Sequence, residues 1–186
     1  MKKKSLALIL AIAIVVGGVV AGTLAWLTDK TEPVVNTFTT SDINIELKET
    51  KNNFQMIPGW DIEKDPKVTV KADSEACYLF VKLEKSTNFD QYMTYEMADG
   101  WTALPGVDGV YYREVGKATA DVIFAVLKGD KVTVKDTVTK EMMASAKENP
   151  PTLTVTAYAA QLYKNGNNEK LDITTAWQSA QPTSNP

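Results

Sequence analysis

From residue 43 onward the chain alternates. Ile43, Ile45 and Leu47 interleave with Asn44, Glu46 and Lys48, and Val68, Val70 and Ala72 with lysine and threonine. Cys77, Leu79, Val81 and Leu83 form a third apolar row, with Tyr78, Phe80, Lys82 and Glu84 facing the other way. A period of two sets successive side chains on opposite faces of extended backbone, so these runs predict strands rather than helices. "VYYREV" at 110–115, "KVTVK" at 131–135 and "TLTVTAYAAQLY" at 152–163 extend the series, and the unbroken apolar run "DVIFAVL" at 121–127 predicts a strand in a sandwich interior.

Turn signals cut the runs short: "PGW" at 58–60, "LPGVDG" at 104–109, Gly129-Asp130 and Asn165-Gly166. The stretch "STNFDQYMTYEMADGW" at 86–101 is less regular and suits a long loop with a short strand or a helical turn. Residues 137–147 are the best helix candidate, stopped by Asn149-Pro150-Pro151, and Asp172 can cap a short helix over "ITTAWQSA". A βαβ layout would need a helix between most strands. The chain supplies one or two, so the expectation is all-β: an antiparallel β-sandwich.

The first 27 residues follow another rule. Lys2, Lys3 and Lys4 precede an uncharged run from Leu6 to Leu27, the plan of a secretory leader. Thr23 and Ala25 put small side chains at the −3 and −1 positions of a cut before Trp26. The run is also long enough for an uncleaved anchor, since roughly 20 residues span a bilayer. The leader reading divides the chain into a signal peptide (1–25), a polar arm broken by Pro33 (26–40), a sandwich domain (41–180) and a disordered tail (181–186).

Residue types then exclude chemistry. The chain has no histidine, which removes Ser-His-Asp triads, Cys-His pairs and HExxH zinc sites together. Cys77 is the only cysteine, in strand-like surroundings, and reads as a buried small hydrophobe; no intramolecular disulfide can form. The net charge is −3, and losing the three leader lysines makes the remainder more acidic, so no basic face points to nucleic acid or anionic lipid. Asp61, Glu63 and Asp65 in "WDIEKDP" read as a solvated edge rather than a carboxylate pair or calcium loop. Trp60, Trp101, Tyr111, Tyr112 and Trp177 read as core filling before a sugar platform. No catalytic residue, metal ligand or cofactor site is expected, and the chain reads as no enzyme.

The order of several elements resembles the TasA/camelysin (CalY) group of exported Gram-positive proteins. The matching positions are Gly22, Thr23, Ala25, Trp26, Asp29, Asn36 and Phe38, then the strand at Ile43, Ile45 and Leu47. Pro58, Gly59, Lys64, Pro66 and Val68 follow the group's next element, and "ACYLFVKLE", the late strand and Ala176-Trp177 follow in turn. Ser41 stands where the group usually has glycine, and residues 86–147 carry no part of the resemblance.

The resemblance implies a jelly-roll-like sandwich, a leader removed by a SipW-type signal peptidase, and secretion to the cell surface. It implies a structural role in biofilm-matrix fibres, with the chain itself, and possible further matrix proteins, as partners. The membrane is met only through the uncleaved leader. Subunits would join head to tail, the arm of one adding a strand to the next, with Leu27, Val34, Val35 and Phe38 as apolar anchors beside Asn36. Part of the group carries a metallopeptidase label, which a chain without histidine does not support. The alternative to a fibre subunit is a monomeric surface module that binds glycan or protein.

Overall fold

The computed structural model describes residues 42–50, 55–164 and 168–182. The leader, its cleavage residues Thr23, Ala25 and Trp26, the whole arm, Ser41, the Asn165-Gly166 turn and residues 183–186 lie outside these. The described chain is mostly β-strand in antiparallel sheets with a few short helices.

The strands are β1 (Ile45–Lys48), β2 (Asp61–Glu63), β3 (Lys67–Val70), β4 (Cys77–Lys85), β5 (Met93–Thr94) and β6 (Thr102–Ala103). They continue as β7 (Val110–Val115), β8 (Val122–Ala125), β9 (Lys131–Val134), β10 (Leu153–Gln161), β11 (Tyr163–Lys164) and β12 (Glu169–Lys170). The helices are α1 (Phe89–Tyr92), α2 (Lys140–Glu148) and α3 (Ile173–Ala180).

The central sheet has the order β10-β4-β7-β6, with two three-stranded sheets ordered β1-β3-β8 and β2-β9-β5. A β11-β12 pair flanks residues 165–167. β4 pairs with β10 along its whole length, from Cys77 opposite Gln161 to Lys85 opposite Leu153.

The alternation in β4 sorts its side chains into two cores. Cys77, Leu79, Val81 and Leu83 enter the larger one with Ile62 of β2, Val68 and Val70 of β3, and Val132 and Val134 of β9. Tyr78 and Phe80 enter a second one, against Ala176, Trp177 and Ala180 of α3. The second face of β4 is therefore covered as well, at Tyr78 and Phe80. Its tyrosine and phenylalanine are too large to leave wet when a helix with an apolar face follows. Phe80 is fully buried with its ring centroid 5.2 Å from that of Trp177, and Tyr158 of β10 meets Trp177 edge-on, also at 5.2 Å.

The cap read at Asp172 is present, and a second one stands at Thr139. The Asp172 side chain accepts from the Thr175 backbone N–H at 3.0 Å and starts α3. Thr139 caps α2 by accepting from Met142 N–H at 3.3 Å, so the helix begins three residues later than the expected 137 and ends before Asn149-Pro150-Pro151. The one-turn α1 is an additional helix, in the region left open between a loop and a helical turn. At Gly109 (φ +72) a Cβ would stand 2.6 Å from the Leu83 carbonyl oxygen, so the turn into β7 requires glycine.

Four expectations need correction. "DVIFAVL" is not a single interior strand: β8 covers only 122–125 at the edge of its sheet, with Ile123 63% exposed, and only Val126 and Leu127 are fully buried. Thr69 of β3 is buried, not solvated, while Ala72 is exposed and falls outside the strand, which ends at Val70 before Asp73 at φ 66. Asp65 is buried, unlike Asp61 and Glu63, because it bonds to Thr50. Trp60 is 64% exposed and fills no core, since the turn closed by Trp60 N–H to Ile57 O directs it outward.

Two outcomes check this packing. Phe80→Ala should cost about 3–5 kcal/mol, the range for emptying a fully buried aromatic site, while Asp172→Ala should cost about 1 kcal/mol as a lost helix cap; urea unfolding monitored by Trp fluorescence reads both. Burial pushes the Cys77 thiol up to about 12, so it should resist Ellman's reagent at pH 8 in the native protein and react fully in urea.

Candidate functional site

Edges are where a sheet protein can take another chain, and most edges here are blunted. β1 carries Glu46 and Lys48, β2 carries Asp61 and Glu63, and β5 and β6 are two residues each. Short length and charge are the ordinary protections of a sheet edge.

β10 has neither. It is nine residues long, "LTVTAYAAQ", without a charge or a proline, and it ends the central sheet. Its pairing with β4 is fixed by Ser86 N–H to Thr152 O and Leu162 N–H to Ala76 O, each at 3.0 Å. In antiparallel pairs the hydrogen-bonded and non-bonded positions alternate. The even-numbered residues from Thr154 to Ala160 therefore bond to β4. The backbone groups of Leu153, Val155, Ala157, Ala159 and Gln161 are directed to the outer side, where no described strand pairs with them.

Beside the first half of this edge lies a groove of about 780 Å³. Its apolar lining comes from Met56, Ile62 of β2, Met93 of β5, Met143 of α2, and Leu153 and Val155 of β10. Glu49, Lys64 and Lys147 supply its charged lining. Methionines suit a surface that must accept side chains of several shapes, because the thioether chain is unbranched and adaptable.

The segment after β1 is tied down beside the groove. Asp65 accepts from the Thr50 backbone N–H and from the Thr50 hydroxyl, both at 2.9 Å. Lys64 pairs with Glu49 at 2.8 Å, with both side chains mostly shielded from water. The Thr50 N–H bond, helped by the Thr50 hydroxyl and Lys67, holds the Asp65 carboxyl below its ordinary range against the opposing effect of burial.

The residues singled out in the sequence for cleavage and assembly, Thr23, Ala25, Trp26, Leu27, Val34, Val35, Asn36 and Phe38, all lie outside the described residues. The receiving side was not anticipated. Its signal was the uncharged alternation of 153–161 together with Met142-Met143, but strand order decides which strand is an edge, and alternation does not report strand order. Among the described residues no cluster of three or more His, Cys, Asp or Glu could hold a metal ion, and no helix is long and apolar enough to cross a membrane. No protein-family model, curated protein or solved structure matches the chain.

A folded pKa below the unfolded value means that Asp65 stabilises the fold above about pH 3.9, its unfolded pKa, and that this contribution is lost as pH falls through the folded value. Asp65→Asn should therefore unfold more easily than the parent at pH 6, and the difference should shrink toward pH 2. Urea midpoints across that range measure it.

Proposed function

We propose that this chain is an exported structural protein of the TasA/camelysin type, whose sheets form a jelly-roll-like sandwich. Its arm, residues 26–40, adds as a strand to the β10 edge of a neighbouring copy. The observation that carries this reading is β10 itself: nine residues of uncharged, proline-free edge beside an apolar groove. An edge of that length exposes a row of N–H and C=O groups that a strand from another chain can satisfy.

The arm has matching chemistry. In extended form Val34, Asn36 and Phe38 share one face and Val35 and Thr37 the other. The apolar members fit a groove lined by methionine, isoleucine and valine, and main-chain bonds along β10 supply affinity that does not depend on side-chain identity. Such addition is head to tail and need not close, so it produces filaments. Cleavage between Ala25 and Trp26 by a SipW-type peptidase frees the arm from the membrane, which makes proteolysis the switch for assembly at the cell surface.

Two purified chains test this, one starting at Trp26 and one at Thr39, followed by light scattering and negative-stain microscopy as concentration rises. Filaments should form from the longer chain only. Met143→Lys in the longer chain should leave the fold intact by circular dichroism and reduce assembly, because a charge in the groove opposes an apolar anchor. Monomers from both starting points at every concentration would overturn strand addition and favour a monomeric binding module.

A further inference from the structure

Arg113 is the only arginine of the chain. It lies on β7 opposite Leu79 of β4, and its guanidinium stands 3.9 Å from the ring centroid of Phe124 of β8 and 5.2 Å from that of Trp101. Trp101 is held in turn, its indole N–H donating to the Ala125 carbonyl at 2.8 Å. Gly100 completes the setting: a Cβ there would lie 2.6 Å from Nη2 of Arg113, and its φ of +85 suits glycine.

Among the described residues no carboxylate answers this cation. Lysines along the described chain pair with acids, among them Lys64 with Glu49, Lys71 with Glu46 and Asp121, and Lys131 with Asp61. The Arg113 side chain makes no hydrogen bond or ion pair with any described residue; its guanidinium lies over the two rings. Desolvation by burial is the cause that moves its pKa, downward, and arginine nonetheless keeps its charge near neutral pH. Aromatic faces can satisfy the charge but not the donors, which lie in the plane of the guanidinium.

We propose that Arg113 anchors a carboxylate-binding site, held by Phe124, Trp101 and Gly100, for an acidic side chain on an extended segment of another protein chain. The rings fix the guanidinium beforehand, so a carboxylate meets a two-donor fork at little ordering cost. Apolar surface adjoins it: Val122, two residues before Phe124 and therefore on the same face of the strand, is 36% exposed. The ligand is therefore a carboxylate flanked by apolar residues. The site uses β7 and β8, not the β10 edge, and does not rest on strand addition.

A sole arginine gives a single Nε–Hε signal, so a nitrogen-15 spectrum of the full chain in mild detergent reports on this residue alone. The probe is acetyl-Val-Glu-Val-amide, with acetyl-Val-Gln-Val-amide as the uncharged control at equal ionic strength. The glutamate peptide should shift the signal saturably and bind about tenfold more tightly than the glutamine peptide, the margin expected of a charge-assisted pair. Arg113→Lys should keep the dispersed backbone spectrum while its backbone shifts near 100–101 and 124 lose most of the response to the peptide. A signal that moves with chain concentration alone identifies the source of the carboxylate as a second copy, and one that does not identifies a different protein. Equal response to both peptides, or none to either, would overturn the site and leave Arg113 as a packing residue.

Discussion

Strand β4 is buried on both of its faces, and the rest of the structure is arranged to meet that demand. One face presents Cys77, Leu79, Val81 and Leu83, which two separate three-stranded sheets cover. The other presents Tyr78 and Phe80, which helix α3 covers together with Leu104 and Leu162. A strand in that position must have neighbours on both sides, because its backbone groups have no water to bond. β10 and β7 supply them along nearly its full length. Helix α3 is thus a part of the core, and its sharp start at Asp172 directs Ala176, Trp177 and Ala180 onto β4 and β10.

The same arrangement leaves β10 without a described strand on its outer side. Having given its even-numbered backbone groups to β4, it can bond nothing further without another strand, and β1 lies close by in a different sheet without pairing with it. Elsewhere the described chain ends its sheets with charge, with two-residue strands or with the four-residue β8. The contrast gives β10 its weight in the proposed assembly, since an edge left uncharged over nine residues favours association unless something covers it. The ties from Asp65 to Thr50 and from Lys64 to Glu49 fix the segment after β1 beside the groove.

Much of the fold was legible as local pattern. The rows in β1, β4 and β10, the turns at Gly59 and Gly109 and both capped helices follow from period, glycine and cap chemistry, which act within a few residues. What stayed hidden depends on partners distant in sequence. "DVIFAVL" has the composition of an interior strand, yet only position in the sheet decides exposure, and β8 is last in its order. Asp65 looked like its exposed neighbours Asp61 and Glu63 because nothing local announces a bond to Thr50. Trp60 looked like core because size alone predicts burial, whereas the turn from Ile57 directs it outward. The candidate site falls between these cases: the uncharged alternation of β10 was visible, but its status as an edge was not.

The two surfaces also differ in the kind of interaction they can offer, and the difference follows from where each lies. The β10 edge offers backbone groups and an apolar groove, which favour length and extended form over a particular charge. The Arg113 setting offers one oriented cation among aromatic and aliphatic side chains, which discriminates by charge and geometry. A single edge would give adhesion with little choice of partner. A fixed guanidinium elsewhere on the sheet adds a term that an uncharged strand cannot satisfy, so selectivity can be set without altering the edge that supplies affinity.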